Sequence, residues 1–194
     1  MDILALPEGL LKNFKEEVCA PYCGTFNFIG LGNDPIQTTW RIGQTFITQN
    51  SFQQCFKESG TYTINGTLIN TVSGCKSSQS YQIKVYEKPK ADFEFLPAQP
   101  LENLDEVIFT NTSQGEGPLV YHWYFNDHKG FITSIKDVTY LYSEPGEYKT
   151  VLVTKNKFGC ADTILKPLSV AADFALYVPN AFTPNNDQNN DVFL

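Results

Sequence analysis

Hydrophobic and polar positions in the second half of the chain change over in short runs. Residues 91–96, 107–110, 121–125, 138–142, 148–155 and 163–170 are rich in β-branched and aromatic side chains, with turn residues between them. That spacing predicts the strands of a β-sandwich. The run 148–155 is apolar on both faces, which places it in the middle of a sheet. Residues 3–18 behave differently. Leu6, Leu10, Leu11, Phe14 and Val18 fall at loosely helical spacing, and Pro7 is admissible in a first turn. This stretch predicts either a short helix or the remnant of a preceding domain. No long amphipathic helix is expected elsewhere. No apolar run approaches the ~18 residues of a membrane span.

The pattern occurs twice. Trp40 returns as Trp123, 83 residues later; Gly60-Thr-Tyr62 returns as Gly146-Glu-Tyr148 at 86, and Gly74-Cys75 as Gly159-Cys160 at 85. Asn70 and Asn156 each stand ten residues past their glycine, and Phe26 and Phe109 each precede their Trp by 14. Anchors repeating at one period indicate a tandem repeat. Lys88-Pro89-Lys90 forms the linker. The expected division is an N-terminal segment 1–18, a first domain 19–88, a second domain 89–170 and a C-terminal segment 171–194.

Both copies resemble the PKD domain, an immunoglobulin-like sandwich. The second carries Trp123-Tyr-Phe125-Asn126-Asp127, Tyr140-Leu-Tyr142, Gly146-Glu-Tyr148, Asn156 and Gly159-Cys160-Ala-Asp162-Thr163. Asn126 and His128 stand where that family has glycines. The first keeps Trp40 and Gly60-Thr-Tyr62, but Arg41-Ile42-Gly43 follows its Trp. The resemblance implies an all-β chain of two tandem immunoglobulin-like (PKD-like) sandwiches plus a short C-terminal segment. In such sandwiches the Trp of the third strand is a core residue, and Tyr62 and Tyr148 fit a tyrosine corner.

The end of the chain, from Tyr177 through Pro179-Asn180-Ala181-Phe182-Thr183-Pro184-Asn185 to Asp187, Asn190, Asp191 and Phe193, resembles the opening of the type B sorting domain of Bacteroidota surface proteins. That domain is also called the gliding-motility-associated C-terminal domain. The sorting motif comprises Pro179, Asn180, Phe182, Pro184, Asn185, Asp187, Asn190 and Asp191, with Asn186 and Gln188 in place of the usual glycines. The resemblance implies a fragment of a protein exported by the type IX secretion system, secreted or held at the cell surface. Its implied partners are that machinery, reached through a complete C-terminal domain, and surface glycans or other surface proteins. Met1 opens no signal peptide, because a basic region is missing and Asp2 and Glu8 interrupt the apolar residues; a signal is expected upstream.

Oxygen ligands at Asp187, Asn189 and Asp191 would suit calcium. The glycine and distal glutamate of an EF-hand loop are missing, so a polar turn without metal is the favoured reading. No other cofactor is expected.

The net charge of −7 and pI near 4.8 argue against binding nucleic acid or anionic membrane through charge. Aromatic residues make up 14% of the chain, more than a disordered chain carries. Asp127, His128 and His122 flank the second Trp, but no third ligand or nucleophile completes an acid–base or metal set. No catalytic residue is expected, and the chain reads as non-enzymatic. Trp40 and Trp123 as sugar-stacking platforms are the alternative to their core role. Asp162-Thr163-Ile164 resembles a Bacteroidota O-glycosylation site.

Export is compatible with disulfides among the five cysteines. The immunoglobulin-like resemblance implies that Cys23 and Cys55 join neighbouring strands of one sheet. It also implies that Cys19 and Cys160 meet between the domains and that Cys75 is left without a partner. A Cys19–Cys75 bond, or an exchange of Cys19 and Cys23, are the alternatives.

The expected role is a structural or adhesive module of a surface protein, an adhesin or a filament stalk. The rival is an accessory linker or glycan-binding segment of a secreted hydrolase.

Overall fold

A computed structural model describes residues 6–12, 14–31, 35–126, 131–133 (backbone) and 135–173. The sorting-motif residues, the calcium candidates Asp187, Asn189 and Asp191, and Asp127 and His128 lie outside the described residues. All regular structure described is β.

The first sandwich has two sheets. One contains β1 (Gly9–Lys12), β3 (Tyr22–Gly30) and β6 (Ser51–Phe56), in the order β1-β3-β6. The other contains β2 (Glu17–Cys19), β4 (Ile36–Ile42), β5 (Thr45–Ile47), β7 (Gly60–Asn70) and β8 (Lys76–Tyr86), in the order β2-β8-β7-β4-β5. β2 runs parallel to β8. The second sandwich repeats the scheme. β9 (Phe93–Leu96), β10 (Glu106–Asn111) and β13 (Val138–Leu141) form its smaller sheet, in the order β13-β10-β9. β11 (Leu119–Tyr124), β12 (Phe131–Thr133), β14 (Gly146–Asn156) and β15 (Ala161–Val170) form the larger, in the order β12-β11-β14-β15. β14, with its two apolar faces, lies between two neighbours.

The residues expected to form a short helix or a domain remnant are strands of the first sandwich. β1 pairs with β3 in one sheet and β2 with β8 in the other. The chain crosses between sheets after Lys12, and Leu11, Phe14 and Val18 pack on the core. Two strands this short carry no period of their own, and the crossover between them produces a helix-like spacing.

Each sandwich buries its own core, because alternate side chains of a strand point to one face; β10 alternates exposed and buried at every position. Phe26, Phe28, Phe52, Ile64, Leu68 and Ile83 surround Trp40. Phe93, Phe109, Phe125, Leu152 and Leu168 surround Trp123. Both Trp side chains are fully buried at 0% exposure. Their indole N–H groups are satisfied by carbonyls, Trp40 Nε1 donating to Gln49 O (2.8 Å) and Trp123 Nε1 to Ile135 O (3.2 Å). Trp40 stacks on Phe28 with centroids 4.5 Å apart. Gly66, in register with Trp40 on the adjacent strand, leaves room for that pair. A Cβ there would lie 2.2 Å from the Phe28 ring.

Tyr62 Oη donates to Glu58 O and Tyr148 Oη to Glu144 O, both at 2.9 Å and both four residues upstream. These are tyrosine corners in equivalent places. Cys23 lies directly opposite Cys55 across β3 and β6. Three residues further along β3 and three earlier along β6, Phe26 faces Phe52. In the second sandwich Phe109 faces Val138 and Glu106 faces Leu141. Glu106 and Leu141 thus stand where the first sandwich has a cysteine pair.

Candidate functional site: the joint between the sandwiches

Of the candidate site residues, Cys19 and Cys160 come together where the sandwiches meet. β8 ends at Tyr86, in register with Cys19 at the end of β2. The Ala20 N–H donates to Tyr86 O (2.8 Å), which holds the two strand ends together. Tyr86 Oη donates to Glu17 Oε1 (2.8 Å). That bond, with desolvation, holds the phenol above its ordinary pKa of 10.0, so it remains a donor. The Lys84 ammonium lies 5.0 Å from the Tyr86 ring centroid, a cation–π contact.

The opposing surface is the turn at 156–160, between β14 and β15. The Asn156 side chain shapes it: Oδ1 accepts the N–H groups of Phe158 (3.1 Å) and Cys160 (3.0 Å). Asn side chains favour turns by bonding in this way to nearby backbone. The same side chain reaches across the joint, where Asn156 Nδ2 donates to Glu87 O (3.0 Å). Phe158 stacks face to face on Tyr86, with centroids 3.8 Å apart and planes 11° from parallel. Cys160 is bonded to Cys19, with Cα atoms 5.6 Å apart, inside the range a disulfide spans.

The linker is fastened as well. Lys90 and Gln114 exchange backbone hydrogen bonds (2.8 and 3.0 Å), and the Ala91 N–H donates to Asp162 Oδ2 (2.8 Å). Asp162, singled out by sequence as part of a modification motif, acts here as a cap on the incoming strand.

The remaining cysteines divide into a second disulfide, Cys23–Cys55 within the first sandwich, and the free, half-buried Cys75 in the turn between β7 and β8. Trp40 and Trp123, the alternative sugar platforms, sit in the two cores and offer no face to a ligand. No cluster of three or more His, Cys, Asp or Glu suited to a metal occurs among the described residues. A cleft of about 460 Å³ opens beside β9, lined by Phe95, Leu96, Ala98, Ile108, Thr110 and Lys166 among others. Lys166 donates to Phe93 O and pairs with Asp92 at 2.8 Å. The hydrogen bond that the Lys166 ammonium donates to the Asp92 carboxylate, with one from the Phe93 N–H, holds that carboxyl below its ordinary range.

Sequence reasoning missed Tyr86 and Phe158. A signal was present in each case: an aromatic two residues before the Lys88-Pro89-Lys90 linker, and an aromatic two residues before the cysteine of the turn.

No curated protein sequence matches the chain. Among solved structures, a carbohydrate-binding module of the β-sandwich superfamily is 30% identical over 44% of this chain and 35% of its own, with a TM-score of 0.41. The fibronectin(III)-like modules of Clostridium thermocellum CbhA are 10% identical over 89% of this chain and 100% of theirs, at 0.49. A three-immunoglobulin-domain segment of titin is 16% identical over 88% of this chain and 67% of its own, at 0.45. Residues 86–170, from the joint tyrosine to the end of β15, match the family described as the PKD domain.

Proposed function

We propose that the chain is a non-enzymatic extracellular spacer, a stiff and load-bearing segment of a surface protein such as an adhesin or a filament stalk. The observation that carries this reading is the Cys19–Cys160 bond. It joins the two sandwiches covalently at a joint already held by stacking and hydrogen bonds. A disulfide persists in oxidising surroundings, and domains joined by a flexible linker alone move relative to one another by default. The resemblance of residues 177–193 to a type B sorting domain supports export through a type IX system, with the machinery contacting the complete domain. The glycan-binding rival is less well supported: both Trp side chains are in cores, and among the described residues the exposed aromatics Phe46 and Tyr124 belong to different sandwiches.

Backbone ¹⁵N relaxation tests the spacer reading. In the oxidised chain both sandwiches should show one rotational correlation time. In the Cys19→Ser/Cys160→Ser variant they should separate into two. Independent tumbling of the sandwiches in oxidised wild-type protein would overturn it.

A further inference from the structure

The turn between β7 and β8 repeats the turn that docks the second sandwich onto the first. The Asn70 N–H donates to Cys75 O (2.9 Å), as the Asn156 N–H does to Cys160 O (2.9 Å). Asn70 Oδ1 accepts the N–H groups of Val72 (2.9 Å) and Ser73 (3.0 Å), as Asn156 Oδ1 accepts two within its own turn. Gly74 and Gly159 precede the cysteines at φ +72° and +85°, a backbone state glycine adopts without strain. The chain also enters the first sandwich at this end. The Leu31 N–H donates to Glu8 O and the Thr71 N–H to Pro35 O, which places residue 8 and the turn at one end of the sandwich. In the second sandwich residue 87 likewise enters beside Asn156.

The two turns differ in what covers them. Cys160 is 1% exposed and bonded to Cys19, and Phe158 is stacked on Tyr86. Cys75 is a free thiol, and Val72 beside it is 78% exposed. A single free cysteine would say little. Its repeat equivalent, in the corresponding turn, is bonded to a neighbouring sandwich.

We propose that the turn at 70–75 is a second docking element that seats the end of another sandwich of the same kind, joined to it by a disulfide at Cys75. The occupant presents a cysteine thiol at the end of its first strand pair beside an aromatic ring, as Cys19 and Tyr86 are presented here. The Cys19 of another intact copy does not qualify, because it is already bonded to Cys160. The bond forms by thiol–disulfide exchange with an oxidised disulfide donor of the dithiol–oxidoreductase or glutathione class. The Cys75 thiolate attacks one donor sulfur, forming a mixed disulfide and releasing the other as a thiolate. The occupant's thiolate then attacks Cys75 Sγ and expels the remaining donor sulfur. The two electrons end on the donor as two thiols. This inference rests on the reading of the chain as serial structural sandwiches. The relaxation experiment probes only the internal joint, so either can fail without the other.

The test mixes two full-length chains in a glutathione redox buffer. The acceptor is wild type, with Cys75 as its free thiol. The donor is Cys75→Ser/Cys160→Ser, which frees Cys19, and a second donor adds Phe158→Ala to clear the occupied docking surface. Peptide mapping should find a Cys75–Cys19 heterodimer with at least one donor, at about ten-fold or more over the Cys75–Cys75 homodimer. Donor unfolded in urea supplies the statistical reference. Asn70→Ala in the acceptor should bring the excess back toward that reference. A statistical mixture with both folded donors, recovery of Cys75 mainly as its homodimer or glutathione adduct, or an excess unaffected by Asn70→Ala would overturn the proposal.

Discussion

Tyr86, the last residue of the first sandwich's closing strand, lies flat against Phe158 of the second sandwich's turn at a centroid distance of 3.8 Å. The two residues belong to different sandwiches. Their contact, beside the Cys19–Cys160 bond, makes a joint out of what would otherwise be a linker. A Lys84 ammonium over the first ring and a Lys157 ammonium 4.8 Å from the centroid of the second flank the pair.

Phe158→Ala should therefore loosen the joint and leave both cores intact. An aromatic pair contributes about 0.5–1.5 kcal/mol beyond its buried area, which corresponds to roughly two- to ten-fold in an opening equilibrium. Hydrogen exchange at the Phe158 and Cys160 amides, both bonded to the Asn156 side chain that also reaches Glu87 across the joint, should accelerate by that factor, while Leu152 and Ile64 amides keep their rates. Unchanged exchange at those two amides would show that the disulfide alone holds the joint.

Trp40→Ala and Trp123→Ala should each destabilise their own sandwich by about 3–5 kcal/mol, as large-to-small core changes do. Gly66→Ala should cost the first sandwich about 1–3 kcal/mol by overpacking, because the added Cβ meets the Phe28–Trp40 stack. Denaturant dependence of hydrogen exchange at the Ile64 amide for the first sandwich and the Leu152 amide for the second checks all three. Retained stability with a lost glycan affinity would restore the platform role of the tryptophans.

Those two tryptophans, the Gly-x-Tyr pairs and the Gly-Cys pairs were legible in the sequence because each is fixed by local geometry and each occurs twice. The Tyr62 and Tyr148 hydroxyls reach only four residues back, so spacing alone identifies them. Residues 9–19 were not legible. Their apolar positions serve two different sheets in succession, and a crossover of this kind has no period. The Tyr86–Phe158 contact was illegible for another reason. It joins residues 72 positions apart on two bodies, and only the docking of those bodies brings them together.

Tyr62→Phe and Tyr148→Phe should each cost about 0.5–1.5 kcal/mol, the net worth of one hydrogen bond. Each loss should fall on the sandwich that carries the change, read from its unfolding midpoint in urea. Equal losses in both sandwiches from either single change would contradict the corner assignment.

The Asp92–Lys166 pair gives a pH dependence. The Asp92 carboxyl is held below its ordinary value of 3.8 by the Lys166 ammonium and the Phe93 N–H. A lowered folded-state pKa means that the contribution is complete above the unfolded-state value and is lost as pH falls through the lower, folded one. The urea midpoints of wild type and Asp92→Asn should therefore differ at neutral pH and converge below pH ~4. Because the pair is partly solvent-exposed, the difference should also shrink in high salt. Midpoints that diverge further on acidification would reverse the sign and contradict the assignment.

The central claim, that the Cys19–Cys160 bond carries load past both cores, is tested most directly by pulling single molecules from their two ends. The bond closes a loop across a sequence separation of 141, and only residues outside that loop can extend while it stands. Adding reductant should lengthen the fully extended chain by about 500 Å, at roughly 3.3–3.6 Å for each of the 141 residues released. An extended length that is the same before and after reduction would mean that force runs through the sandwiches themselves, and would contradict the account.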